Sequence, residues 1–334
     1  MSKENLLIAV PRLWSDIKGE LEPPSSGGGA SSSGSLADQD QVSKEEVKKV
    51  AKWLQHSVTK FAASAAVAEG PNDEALKSMA PELVKAFTAA AGTLLSIRKG
   101  AGPTLVKELW EVGSSLAKSL EALGGAVGSK NMAVLAGQVL DRVKHFDRVS
   151  CGNRSAARRR LLTSLTQIRD AAKELEKVIS SQKEKEKEDA DADEGDGDSA
   201  DDFDDFDGEE LEPEELVVME GVALAVSALE DVLKEGSSAC AASASAASSS
   251  AAVLGVSELE GIVSSASAAQ KAIDGIVAHG LGGMDVKACT ECLGELRTAS
   301  KDFACCAGFA VQAQQKLSEA IDQVEAALKL VPTD

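Results

Sequence analysis

The chain has no tyrosine, three tryptophans and seven phenylalanines, so aromatics make up only 3% of its 334 residues. Strands favour aromatic and β-branched side chains, and a sequence this poor in rings argues against a sheet-rich fold. Histidine is almost as scarce. His56, His145 and His279 stand far apart, with no carboxylate or thiol at ligand spacing, so neither a histidine metal centre nor a histidine base is indicated. No apolar run approaches the roughly 18 residues of a membrane span. The longest early one, Leu6 to Val10, stops at Pro11-Arg12 and lacks the form of a secretory leader. Gly124-Gly125-Ala126-Val127-Gly128-Ser129-Lys130 has the wrong order for a phosphate-binding loop, and no strand pattern precedes it. No nucleophile elbow or carboxylate dyad is visible either. These gaps lead to the expectation of a chain that is not an enzyme and carries no cofactor and no metal.

The six cysteines are the remaining candidates for chemistry. Cys289-x-x-Cys292 and Cys305-Cys306 could supply four thiolates to zinc. All four lie in a helical pattern, however, and adjacent positions on a helix point about 100° apart. Small packing residues in a helix core, in a compartment that keeps thiols reduced, is the reading preferred over zinc or redox chemistry.

What the sequence does have is helical periodicity. Residues 2–20 read as a first helix, bent or restarted at Pro11, followed by a flexible Pro/Ser/Gly linker over 23–41. Ser43-Lys44-Glu45-Glu46 is a capping box opening a helix lined by Val47, Val50, Leu54, Val58 and Phe61. A short helical turn is expected over 73–79, then a helix opened by Pro81 and running to Arg98. Gly100-Ala101-Gly102-Pro103 is a stop and restart. Further stripes follow at Leu105 to Leu123, at Met132 to Phe146 (with Ser129 as cap) and at Leu161 to Ile179. Beyond Pro213 come Leu216 to Leu233, a Ser/Ala-rich loop over 237–250, a helix opened by Ser257-Glu258-Leu259-Glu260, and a final pattern capped by Asp285. That last pattern is long enough to require a break near Cys306–Gly308.

Charge is distributed very unevenly. The chain has a net charge of −19. The stretch Glu184 to Glu215 alone holds nineteen acidic residues and two lysines, so the rest is close to neutral. As a plain polyanion this run is a self-repelling disordered linker. Phe203 and Phe206, set among Asp204, Asp205 and Asp207, suggest instead a short acidic–aromatic motif for a basic groove. Arg158, Arg159 and Arg160 form a basic counterpart at a helix start. They read as a solvated helix end, a nuclear import signal, or a dock for the acidic run. Direct nucleic-acid binding is disfavoured, because the chain is acidic and no stacking aromatics accompany the arginines.

Four runs carry a resemblance to a known family. They are Leu94-Leu95 followed by Gly100-Ala101-Gly102-Pro103-Thr104-Leu105, then Leu109-Trp110-Glu111-Val112, then Gly137-Gln138-Val139-Leu140, and Asp204-Asp205-Phe206 leading to Leu211-Glu212-Pro213-Glu214-Glu215. In these the chain resembles the cyclin-D-interacting proteins, the Grap- and cyclin-D-binding family. The resemblance implies an all-helical protein packed like the vinculin and talin bundles. It also implies non-enzymatic binding of D-type cyclins and helix-loop-helix factors, restraint of cell-cycle progression or transcription, and residence in both cytoplasm and nucleus.

The resulting expectation is an all-α fold of two antiparallel helical bundles. Residues 1–187 form the first, 188–212 an acidic disordered linker, and 213–334 the second. Phe203, Asp204, Asp205, Phe206, Asp207, Arg158, Arg159 and Arg160 are the candidate partner-binding residues. An acidic histone-type chaperone and a vinculin-like cytoskeletal scaffold are the alternative functions.

Overall fold

The computed structural model describes residues 3–23, 42–65, 73–192, 211–241, 254–281, 283–307 and 311–332. Among them are ten α-helices and no strand: α1 (Lys3–Leu21), α2 (Lys44–Ala65), α3 (Asp73–Arg98), α4 (Pro103–Gly125), α5 (Met132–Asp147), α6 (Asn153–Ala192), α7 (Pro213–Ala241), α8 (Val256–Gly280), α9 (Val286–Ala307) and α10 (Val311–Leu328). They separate into two compact units, residues 1–156 and 157–334, each with its own apolar core.

In the first unit, α2, α3, α4 and α5 follow one another, and α5 closes back on α2; α1 lies against α3 and α4. Short connections between successive helices make neighbours antiparallel. The stripe of α2 (Val47, Ala51, Leu54, Val58 and Phe61) meets Phe87 of α3 and Phe146 of α5 in one core. Fully burying rings of this size stabilises by about 1.5–3 kcal/mol each. The capping box forms as expected: Ser43 N–H donates to Glu46 Oε2 at 2.8 Å, and Glu46 N–H donates to Ser43 Oγ at 3.2 Å. The bonds that the Glu46 carboxylate accepts from Ser43 N–H and from Ser43 Oγ–H (3.0 Å) hold it below its ordinary pKa.

Both internal prolines sit inside continuous helices. Pro11 does not divide α1, and Pro81 lies within α3 and does not open a new helix. A proline removes one backbone bond and crowds the preceding turn. At Pro81 this is offset because Leu76 and Ala80 before it, and Leu83 and Ala86 after it, are all buried in the same core. The side-chain cap expected from Ser129 is also absent: α5 starts at Met132, and Ser129 Oγ accepts from Asn131 N–H instead.

In the second unit α7, α8, α9 and α10 form a closed ring of neighbours, and α6 packs antiparallel on α7. Its register is shown by Arg169–Glu230 (3.1 Å) and Lys183–Glu220. Here the structure departs most from the sequence reading. The stripe of α6, assigned above to the N-terminal bundle, is buried instead with the second core, through Ala157, Leu161, Leu165, Ile168 and Leu175. Periodicity shows that a helix has an apolar face but not which core accepts it. The acidic run therefore connects two neighbouring helices of one unit and is not a joint between the two units. Smaller differences follow the same logic. α7 continues to Ala241, burying Ser237 and Cys240 at the start of the expected Ser/Ala loop. α8 begins two residues early, with Glu258 accepting from Gly255 N–H at 2.6 Å. Asp285 does cap α9, through Ala288 N–H at 2.9 Å, and α9 ends at Ala307 where a break was required.

Candidate interaction surfaces

Three features bear on recognition, and the first is a lock between loops. Asn153 is buried, and its side-chain amide bridges the α3–α4 connection. Oδ1 accepts from Gly102 N–H at 2.7 Å, and Nδ2 donates to Gly100 O at 3.0 Å. Gly100 takes a positive φ of 79°, a backbone shape that costs glycine little. Beside it Glu108 Oε1 accepts from Ser150 N–H at 2.9 Å. The run Gly100 to Leu105 is thus chiefly structural: it ties two loops of the first unit together.

The second feature is the outer face of α2. Lys49, Lys52, Trp53, His56 and Lys60 recur at three- and four-residue steps and are all exposed, opposite the buried stripe. Trp53 retains 42% of its surface. Of the two acids of this helix, Glu45 pairs with Lys48 at 3.2 Å, and Glu46 is held in the cap with the Lys49 charge acting on its carboxylate. Among the described residues, Lys52 and Lys60 form no ion pair.

The third lies between α7 and α10. Leu224, Ala228, Asp231, Lys316, Ala320 and Gln323 line a shallow groove. Leu224 and Val217, one heptad apart, are 56% and 50% exposed. The helices approach closely at Gly221, where a Cβ would stand 3.1 Å from Val324 Cγ2.

The residues singled out from the sequence fare differently. Phe203, Asp204, Asp205, Phe206 and Asp207 lie outside the described residues. Arg158, Arg159 and Arg160 are exposed on α6, but three consecutive residues sweep about 200° of a helix and do not share a face. The outer face of α2 and the pair Val217/Leu224 were not singled out from the sequence. Their signal was there: large apolar residues on the polar side of an otherwise regular stripe.

Cys240 and Cys289 are buried packing residues and Cys151 and Cys292 are half-buried, whereas Cys305, expected in a helix core, is exposed. Cys289 is buried, its thiol pushed up to about 11 by burial, with the Cys292 and Asp285 charges adding to the shift. Burial likewise raises Cys292, whose Sγ would meet a Cβ at Gly275. Among the described residues, no group of three or more His, Cys, Asp or Glu is placed to hold a metal ion, and no helix is long and apolar enough to cross a membrane.

A family model described as Grap2 and cyclin-D-interacting, N-terminal, matches residues 46–181. The match takes in the outer face of α2, the Asn153 lock and the three arginines. It also takes in three of the four runs that carried the resemblance; the fourth, from Asp204 to Glu215, lies beyond it. No curated protein matches the chain. Residues 46–181 are thus similar to the N-terminal region of the Grap2 and cyclin-D-interacting proteins.

Proposed function

We propose that the chain is a non-enzymatic interaction protein that binds D-type cyclins and helix-loop-helix factors, works in cytoplasm and nucleus, and restrains cell-cycle progression or transcription. The observation that carries this reading is the family match over residues 46–181, which covers most of the first helical unit and much of α6. The exposed helix faces support it, because rigid helices that present apolar and charged side chains to solvent are a common recognition device. The direct test is calorimetric titration of the full-length chain with a purified D-type cyclin. Affinity of about 10 μM or tighter (roughly −7 kcal/mol) supports the reading, and no heat at 100 μM of either protein refutes it.

The acidic stretch favours one second reading, a charge-driven binder of basic proteins such as histones. Salt separates the two. Exposed charges are screened over about 8 Å near physiological ionic strength, so binding abolished by 0.5 M NaCl supports the charge-driven reading, and binding that survives supports groove recognition.

A further inference from the structure

The outer face of α2 combines three properties. It lies on one continuous helix, with five exposed side chains spread along twelve residues, about 16 Å at 1.5 Å per residue. It is positive within a chain of net charge −19: of its three lysines only Lys49 has an acid of the helix acting on it, Glu46, whose carboxylate is held in the cap. At its centre is a half-exposed tryptophan, a residue type that is usually well covered and is enriched where interfaces concentrate their binding energy.

We propose that Lys49, Lys52, Trp53, His56 and Lys60 form a docking surface for an acidic helix of a partner protein. Its carboxylates pair with the three lysines, and one large apolar side chain covers the Trp53 ring. Charge complementarity selects this occupant. A phosphate backbone is disfavoured, because the face has a single ring and no second stacking aromatic, and because the rest of the chain repels polyanions of high charge density. A wholly apolar helix would leave the lysines without partners. Trp53 accounts for the apolar component, since a purely ionic surface has no use for an exposed indole. The proposal deepens the interaction reading above and rests on it for the biological partner, but its test does not depend on cyclin binding.

The probe is a fluorescein-labelled 18-residue helical peptide with glutamates at three- and four-residue steps and one central leucine, titrated with the full-length chain and followed by anisotropy. Two triple variants carry the same change in net charge. One is Lys49→Glu/Lys52→Glu/Lys60→Glu. The other is Lys77→Glu/Lys107→Glu/Lys118→Glu, at exposed positions of the same unit. Losing attraction at three pairs and adding repulsion weakens binding by at least about tenfold in the first triple. The second triple changes it by less than about threefold. Trp53→Ala weakens binding about tenfold even in 0.5 M NaCl, where the ionic part is screened. A peptide with lysine in place of glutamate binds the first triple better than the unaltered chain. Circular dichroism confirms that every variant is folded. Equal losses in the two triples overturn the proposal, as does tighter binding of a thymidine oligonucleotide than of the peptide, or no peptide binding at 100 μM chain. If the peptide binds as described and the cyclin does not, only the cyclin reading fails. If the cyclin binds equally well to the chain and to the first triple, only the docking face fails.

Discussion

Replacing Asn153 separates two hydrogen bonds that look equivalent but are not. Gly102 is buried, so Asn153→Ala leaves its N–H donor with neither partner nor water. Gly100 is exposed, so its carbonyl regains water when Nδ2 is removed. An orphaned buried donor costs about 1–3 kcal/mol, whereas a bond exchanged for one to water costs about 1 kcal/mol or less. Asn153→Ala therefore destabilises the first unit by roughly 2–3 kcal/mol. Asn153→Asp keeps an acceptor for Gly102 N–H and gives up only the exchangeable bond, so it costs about 1 kcal/mol. The composition of the chain provides the assay. All three tryptophans, Trp14, Trp53 and Trp110, lie in the first unit, so fluorescence-detected urea unfolding follows that unit alone. In a unit of this size the alanine variant lowers the melting temperature by about 4–12 °C, at 2–4 °C per kcal/mol. Hydrogen exchange at the Gly102 amide rises in the alanine variant and not in the aspartate. An aspartate variant as unstable as the alanine, or an alanine variant within 0.5 kcal/mol of the parent, refutes the assignment of the lock.

Three further outcomes follow from the same structure. A Cβ at Gly113 would lie 2.6 Å and 2.7 Å from ring atoms of Trp14. Gly113→Ala thus displaces α1 from α4 at a cost of about 1–3 kcal/mol, read as a red shift of tryptophan emission and a lower urea midpoint. Among the thiols, exposed Cys305 reacts with a disulfide reagent at pH 8 well before buried Cys289. Because burial raises the Cys289 pKa, its protonated form favours the fold. That contribution is fully present below about pH 9 and is lost as pH rises toward 11. A Cys289→Ala variant therefore shows a shallower loss of stability over that window, and an identical slope would refute the assignment. Finally, since α6 and α7 are antiparallel neighbours, replacing residues 193–210 with six Gly/Ser residues leaves the second unit's unfolding midpoint within about 2 °C. A collapse of that transition would show that the run contributes to the core.

Much of the secondary structure was legible because it is local. The apolar steps of α2, α4 and α5 mark their buried faces, and the bonds of Ser43 with Glu46 follow from a four-residue pattern. Where local chemistry pointed one way and packing another, packing prevailed. Pro81 reads as a helix start, yet the buried residues on both sides carry the helix through it. The candidate surfaces were legible only in part. Trp53 stands out on a polar face from sequence alone, whereas the groove beside Leu224 exists only because α10 lies against α7.

The sequence by itself determined that this protein is helical, where most of its helices begin and end, and that nearly all of its net charge sits in one run. Each of these depends on residues a few positions apart. Only the tertiary structure decided that α6 joins the second core, so that the acidic run bridges two helices of one unit, and that Asn153 reaches back across some fifty residues to Gly100 and Gly102. An apolar stripe specifies that a face will be buried, and a polar side chain that it will be bonded. Which partner each one finds depends on three-dimensional contacts that no local spacing encodes.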